Sequence, residues 1–568
     1  MIQFHGMKLQ TVRNANPILA TLLACCAAQA FAAPPGVPDS GSLLQQNQQS
    51  RPMPAPGNDT GLKIESPSGS NLPDSAPFLI RTLEISGNTL YDTATLHALV
   101  ADMEGSEHTL PQLNAAINRI SDYYHEHGYP LARAYVPAQT IQDGVIKIII
   151  IEARYGQIHL DNSSRVDDSL IESTLSPLQA QDRVEQSRLD RTLLLLSDIP
   201  GVSSGATLQP GQAVGTSDLM VVTNAAPEWT ANTLLDNYGN AYTGRERLSG
   251  TLNWIDPLQH GDYLSANVLT AGRNMDSASL TYDTLASGSG ARVGGMTSYL
   301  HYRLGGNLEK LEGHGTAATD SVWLKYPWNR SMDVNVTTQL QLDYKNLKDD
   351  IDSTGIQTNR HTEGVSLMLN GDANSTALAG GQTLWSVIWK GGQVNFEDAT
   401  AQALDQKNAD VEGGFFKFNG SYSRLQNLTQ DTALYLALSA QWSSVNLDSS
   451  EKMVAGGPYS VRAYDMGVLS GDSGFLRSIE VRQVLGNWLG GPWQAIAFSD
   501  YQHIRINQNP WTTGTNGANL AGAGLGLNWA NDSGWHLKMT VAAPSGSVPE
   551  LITAKKTTRG WAEVGAWF

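Results

Sequence analysis

A two-residue alternation through residues 227-568 limits the fold more than any other feature. Met332, Val334, Val336, Thr338, Leu340, Leu342 and Tyr344 interleave with Asp333, Asn335, Thr337, Gln339, Gln341, Asp343 and Lys345. Leu434, Leu436, Leu438, Ala440 and Trp442 repeat the pattern against Tyr435, Ser439 and Gln441. So do Leu248, Gly250, Leu252 and Trp254 against Ser249, Thr251 and Asn253. Successive side chains of a strand point to opposite faces, so each run has one dry and one wet side. Runs of about ten such residues are the mark of strands that cross a membrane as a closed barrel. A soluble sandwich also alternates. It would not explain aromatics gathered at strand ends, as in Trp323-Leu324-Lys325-Tyr326-Pro327-Trp328, which suit a lipid–water boundary.

The N-terminus fits an exported chain. Lys8 and Arg13 precede an apolar stretch from Ile18 to Ala28, and Ala30-Phe31-Ala32 offers a small-residue cleavage site, so residues 1-32 read as a signal peptide. Met7 is an alternative start, and Leu22-Leu23-Ala24-Cys25 leaves a lipid-modified Cys25 as a rival reading. No later run reaches the roughly 18 apolar residues of a membrane helix, so an exported chain of this kind is soluble or a barrel. Both cysteines, Cys25 and Cys26, fall in the signal stretch. The mature chain then has no thiol for catalysis, disulfides or zinc. A formal charge of −17 argues against nucleic acid as a partner.

Residues 34-77 are rich in Pro, Ser, Gly, Gln and Asn, which reads as linker. One island, DSGSLLQQNQQSR, can form a short helix over 38-51 capped by Asp39 or Ser40 and ended by Pro52. Composition leaves helix and disorder both open there. The linker 52-77, if extended at roughly 3.1 Å per residue, reaches about 80 Å, against about 25 Å for the apolar band of a barrel.

A loosely repeated β-α-α-β-β unit follows, over 78-154 and 155-226. In the first copy, Phe78 to Ser86 reads as one strand and Leu90 to Ala101 as a helix. Thr109-Leu110-Pro111-Gln112 is a capping box. Leu113, Ile117, Ile120 and Tyr124 then make one apolar stripe. In the second, a strand at Tyr155 leads to helices over 166-175 and 184-199 and to strands near 205-209 and 218-222. A small sheet leaves an edge to which an extended peptide can add.

The stretch EKMVAGGPYSVRAYDMGVLSGDSGFLRSIEVR, residues 451-482, is a long glycine-rich loop running into a strand. Gly456, Gly457 and Gly467 permit sharp turns around Val461, Arg462, Ala463 and Tyr464. Downstream, Phe498 and Asp500 share one face of the strand WQAIAFSDYQHIR. GGPYSVRAY followed by SGDSG resembles the inward-folded loop of two-partner secretion (TpsB-type, ShlB/FhaC/HecB-like) outer-membrane transporters, and Phe498 with Asp500 resembles that family's strand motif. Ala463 and Gln502 stand where the family more often has glycine.

The resemblance implies α+β periplasmic POTRA (polypeptide-transport-associated) domains followed by an all-β transmembrane barrel of about 16 antiparallel strands. That number leaves about 21 residues for each strand and its connection. It implies a plug helix at 38-51 in the lumen and the loop 451-474 folded inward, with Arg462 on Asp500. It implies Asp256-Pro257-Leu258-Gln259-His260-Gly261-Asp262 as a tight periplasmic turn, and Phe568 as the signal read by the barrel assembly machinery, although Ala566 is small where barrels often carry an aromatic. The expected function is export of one large partner protein, bound at the POTRA domains and passed outward without nucleotide hydrolysis, in the outer membrane. The rivals are a barrel assembly factor of the same superfamily and a passive porin with a periplasmic adaptor. No enzyme, metal or cofactor is expected. His125 and His127 do not share a helix face, and Gly522-Ala523-Gly524-Leu525-Gly526 lies in a strand with no following helix, so it is not a dinucleotide loop.

Overall fold

The computed structural model describes residues 37-48, 60-65, 74-552 and 557-568. The signal peptide expected at 1-32 and most of the linker lie outside them.

Sixteen strands form one closed antiparallel barrel, from Trp229–Asp236 round to Arg559–Trp567. Closure leaves no unpaired strand edge in lipid. The alternation runs as expected: Leu340, Leu342, Leu252 and Trp442 face outward and are about half exposed, while Lys345, Tyr435 and Gln441 face inward and are buried. The seam is closed by five residue pairs, Asn232↔Trp567 to Asp236↔Glu563. Beyond them the Phe568 N–H donates to Ala231 O at 2.8 Å, leaving its ring exposed.

The first periplasmic unit packs two helices on a three-stranded sheet of order Thr82–Ser86, Val145–Ile151, Arg133–Tyr135. Alternate residues Ile146, Ile148 and Ile150 meet Leu113, Ile117, Ile120 and Tyr124 in a dry core. The capping box of Thr109 and Gln112 opens the helix Leu110–Glu126. The expected strand Phe78 to Ser86 divides at Arg81, whose N–H donates to Gly144 O at 2.8 Å. Phe78–Ile80 then pairs separately with Ser106–His108. The expected helix over 90-101 shortens to Thr93–Ala98, capped by Asp92, plus a tight turn at Ala101–Met103.

The second unit holds helices Asp168–Leu175 and Gln186–Ser197 against a four-stranded sheet. Its outermost strand comes from the linker: Leu62–Ile64 pairs in parallel with Ala206, Thr207 and Leu208. The two units meet at Glu152, which accepts from Tyr124 Oη at 3.0 Å and from Arg183 Nε at 3.2 Å. The second unit rests on the barrel through Arg330, which grips Asp198 at 2.7 and 2.8 Å, and through the turn 256-262. There Asp167 N donates to Gln259 O at 3.0 Å.

The helix Ser40–Gln48 lies inside the barrel. Asp39 Oδ1 accepts from Ser42 N at 2.8 Å, which caps it. Leu43 and Leu44 bury against inward-facing Met275, Leu300, Tyr302 and Leu347.

Candidate functional site: the arginine loop and the lumen wall

The loop leaves the wall at the turn Ser449–Glu451 and returns at the strand Ser473–Trp488. Inside, Met453–Ala455 pairs with Leu469–Gly471 as a two-stranded ribbon. Gly456 and Gly457, at φ of 82° and 104°, turn the chain above it. Side chains disfavour that conformation, and a Cβ on Gly456 would lie 2.3 Å from Asp465 O.

Arg462 sits at the tip and is 4% exposed. Its Nε and Nη2 donate to Asp500 Oδ2 and Oδ1, each at 2.8 Å. This fork-on-carboxylate geometry suits arginine and not lysine. The backbone N–H of Arg462 adds a third bond to Asp500 at 3.1 Å. Nη1 donates to Glu480 Oε1 at 2.8 Å, and the guanidinium lies 3.3 Å from the Phe498 ring centroid. Trp561 Nε1 donates to Arg462 O at 2.8 Å, so the strands carrying Glu480, Asp500 and Trp561 all hold the tip. The structure thus brings Arg462, Phe498 and Asp500 together. Val461, Ala463 and Tyr464 pack with Phe498 in the apolar floor beneath.

The two departures from the glycine pattern have local consequences. Gln502 Nε2 donates to Val454 O at 3.1 Å, and Gln502 Oε1 accepts from Ser460 Oγ. The longer side chain therefore adds two loop contacts that a glycine lacks. Ala463 lies over Gly522, where a Cβ would come within 2.4 Å of the Ala463 methyl. Gly524 makes room for the Phe498 ring in the same way, at 2.6 Å. Of the glycine run 522-526, Gly522 meets the loop tip directly, at Ala463 and Val461.

Several groups escaped the sequence reading. Glu480 holds the second side of Arg462 and is itself gripped by Arg482 at 2.7 and 2.9 Å. At the other end of the loop, Glu451 is 1% exposed. It lies 2.7 Å from Lys345 Nζ, 2.8 Å from Lys390 Nζ and 2.7 Å from Lys417 Nζ. Lys390 and Lys417 are directly opposed across neighbouring strands. Like charges in that position repel, so the arrangement calls for an anion between them, and Glu451 supplies it. Next to it, Asp448 accepts from Arg360 Nε. The signal was present: Lys345, Lys390, Lys417 and Arg360 all occupy polar-side positions of alternating runs. The sequence gives the face of each but not its neighbours.

His125 and His127 each face a backbone carbonyl, Ala132 O at 2.9 Å and Tyr123 O at 2.7 Å. Among the described residues no group of three His, Cys, Asp or Glu side chains is placed to hold a metal.

Residues 215-529 match the model of the haemolysin secretion/activation protein family ShlB/FhaC/HecB, and residues 78-153 match the ShlB-type POTRA domain. The chain belongs to the haemolysin secretion/activation family. The transporter is 26% identical over 520 residues to the heme/hemopexin transporter protein HuxB of Haemophilus influenzae strain 86-028NP, spanning 90% of this chain and 92% of that one. Its fold matches CdiB from Escherichia coli at a TM-score of 0.68 and 19% identity, over 89% of this chain and 93% of that one. BamA from Haemophilus ducreyi, lacking POTRA domains 1-3, matches at a TM-score of 0.51 and 12% identity, over 86% and 100% of the two chains. At that identity the likeness is one of fold. The transporter is an outer-membrane barrel of the two-partner secretion type, with POTRA units on the periplasmic side. Its family carries proteins outward and is not a family of enzymes.

Proposed function

We propose that the transporter captures the N-terminal region of one large, unfolded partner protein at a periplasmic sheet edge. The partner then passes through the lumen once the helix Ser40–Gln48 and the arginine loop give way. The observation that carries the capture step is the linker strand Leu62–Ile64 lying in parallel register on Val202–Pro210. That edge accepts an extended peptide by main-chain pairing, the chemistry of strand addition. Arg133–Tyr135 is the outer strand of the first unit and offers a second edge of the same kind. Within the lumen, the buried Arg462–Asp500 pair holds the loop in its resting position. Arg462, Asp500, Phe498 and the three loop glycines act in gating and carry no chemistry. No nucleotide is used; folding of the emerging chain outside supplies the drive. During biogenesis the C-terminal strand ending in Phe568 is read by the barrel assembly machinery.

The test is co-purification of the full-length transporter with N-terminal fragments of the large exported proteins of the same organism. Ala206→Pro and Ala134→Pro remove main-chain donors from the two edges. Capture should fall at least tenfold with the edge that is used. Undiminished capture with both edges blocked refutes strand addition. Association with many nascent barrels instead of one large partner favours an assembly role.

A further inference from the structure

The plug helix and the arginine loop are held by the same cation. Arg360 projects inward from the strand Ile356–Ser375 and is 4% exposed. Its Nε bonds Asp448 at the base of the loop, and its Nη2 donates to Ser449 Oγ at 3.0 Å. Nη1 donates to Asp349 Oδ2 on the neighbouring strand at 2.7 Å, and Nη2 lies 3.3 Å from Asp39 Oδ2 at the start of the plug helix. One guanidinium therefore serves three carboxylates, one each from the helix, the wall and the loop.

Around this hub the helix and the loop base touch directly. Ser449 Oγ donates to Asp39 Oδ2 at 2.7 Å. Gln45 Nε2 donates to Ser450 O. Ser40 N and Oγ donate to Asp349 at 2.7 and 2.8 Å. The seat allows no side chain at Gly41, where a Cβ would lie 2.3 Å from Ser449 Oγ and 2.6 Å from Ser450 N. Further along, Gly467 of the loop faces Gln46 of the helix, its Cβ position 2.3 Å from Gln46 Nε2.

We propose that Arg360 is a positioning residue that couples the two gates, so that departure of the plug helix unlatches the turn 448-451 at the base of the loop. The physical reason is shared partners. When the helix leaves it takes Asp39 from Arg360 and from Ser449. It also strips two donors from Asp349, which then competes more strongly with Asp448 for the same guanidinium. The base turn loses its packing at Gly41 in the same event. These bonds from the helix and Arg360 end on the base turn, so the base loosens first and the tip follows. The inference rests on the reading that the lumen opens for export, but it is measured without any cargo.

The experiment is amide hydrogen exchange on the full-length protein in nanodiscs, comparing wild type with Gly41→Leu, Asp39→Asn, Arg360→Gln and Arg360→Lys. Gly41→Leu evicts the helix sterically and leaves every charge in place. Asp39→Asn weakens the hub with no change of volume. In both, exchange should rise about tenfold or more over residues 40-48 and over 448-455, while the strand Ser473–Trp488 is unchanged. Arg360→Gln should release both segments, and Arg360→Lys should restore part of the protection by keeping one charged contact. Faster exchange in the helix with an unchanged base turn, in either eviction variant, overturns the coupling. So does a helix that stays protected in Arg360→Gln. Loss of partner capture with the coupling intact would count against the proposed function and not against this inference.

Discussion

The two ends of the inward loop are fastened by charges of opposite sense. At the tip the loop brings the cation, Arg462, and the wall brings the acids, Asp500 and Glu480. At the base the loop brings the acids, Asp448 and Glu451, and the wall brings Arg360, Lys345, Lys390 and Lys417. The inversion fixes the register of the loop. If it slid along the lumen, the tip arginine would meet the lysines and the base acids would meet Asp500, and each wrong pairing would be repulsive. The ends also differ in number. The tip depends on one side chain with two acidic partners, whereas the base spreads its hold over four cations. The tip is built to let go as a unit and the base to yield in steps.

The comparison can be broken at its strongest point first. Glu451→Ala leaves Lys345, Lys390 and Lys417 facing one another in a buried site. Removing one partner of a buried pair costs about 3–5 kcal/mol, and here three lysines lose the same acid, although Lys390 keeps Asp343 at 3.3 Å. The expected outcome is a large loss of folded barrel, read as heat-modifiable mobility on gels, with Glu451→Gln intermediate. A fully stable Glu451→Ala barrel would show that the lysines are solvated and that the base is not clamped.

Arg462→Ala should cost less, toward the lower end of about 3–5 kcal/mol, because Arg482 still serves Glu480. Barrel assembly should persist while export of the partner falls. The contact with Glu480 sharpens the rescue test. Exchanging the charges, Arg462→Asp with Asp500→Arg, should not restore export while Glu480 remains to repel the new aspartate. Adding Glu480→Gln should restore part of it. Rescue by the two-residue exchange alone would mean that Glu480 contributes nothing to the lock.

Gln502→Gly returns the position to the glycine of related motifs and removes bonds to Ser460 and Val454. At about 1 kcal/mol for each of the two bonds, the tip should exchange amides up to about thirtyfold faster over 456-462 with no effect at the base. Equal loosening at both ends would show that the loop moves as one rigid piece.

The smallest effect is expected away from the loop, in the periplasmic turn 256-262. Burial pushes the Asp256 carboxyl up to about 6 from the ordinary 3.8, and the neighbouring Asp262 adds to the rise. The folded turn then holds a proton that the unfolded chain gives up between pH about 4 and 6. Stability of the turn should fall as pH rises through that window, because the unfolded state binds fewer protons there. Hydrogen exchange over 256-262 should show that dependence, and Asp256→Asn, which keeps the acceptor for Gly261 N, should abolish it. The loop should be indifferent to both.

How much of this was legible in the sequence depends on the distance over which each feature is decided. The alternation in Met332 to Lys345 names the inward residues because side-chain direction is set by the backbone of the strand itself. Thr109 and Gln112 announce the helix Leu110–Glu126 because a cap is closed within four residues. The division of Phe78 to Ser86 at Arg81 was hidden, since Gly144 lies far along the chain. So was the linker strand, because Leu62–Ile64 carries no strong pattern and is extended only by pairing with Ala206 to Leu208.

The site follows the same division. Arg462 and Asp500 could be named together only through resemblance to a family, while Glu480 and the lysines around Glu451 could not be named at all. The sequence by itself determined which residues look into the lumen, where local units begin and end, and that a lipid-embedded closed sheet was required. Only the tertiary structure decided which inward charges become neighbours. That depends on strand register and on where a long loop and a short helix come to rest, and closure of the whole barrel sets both.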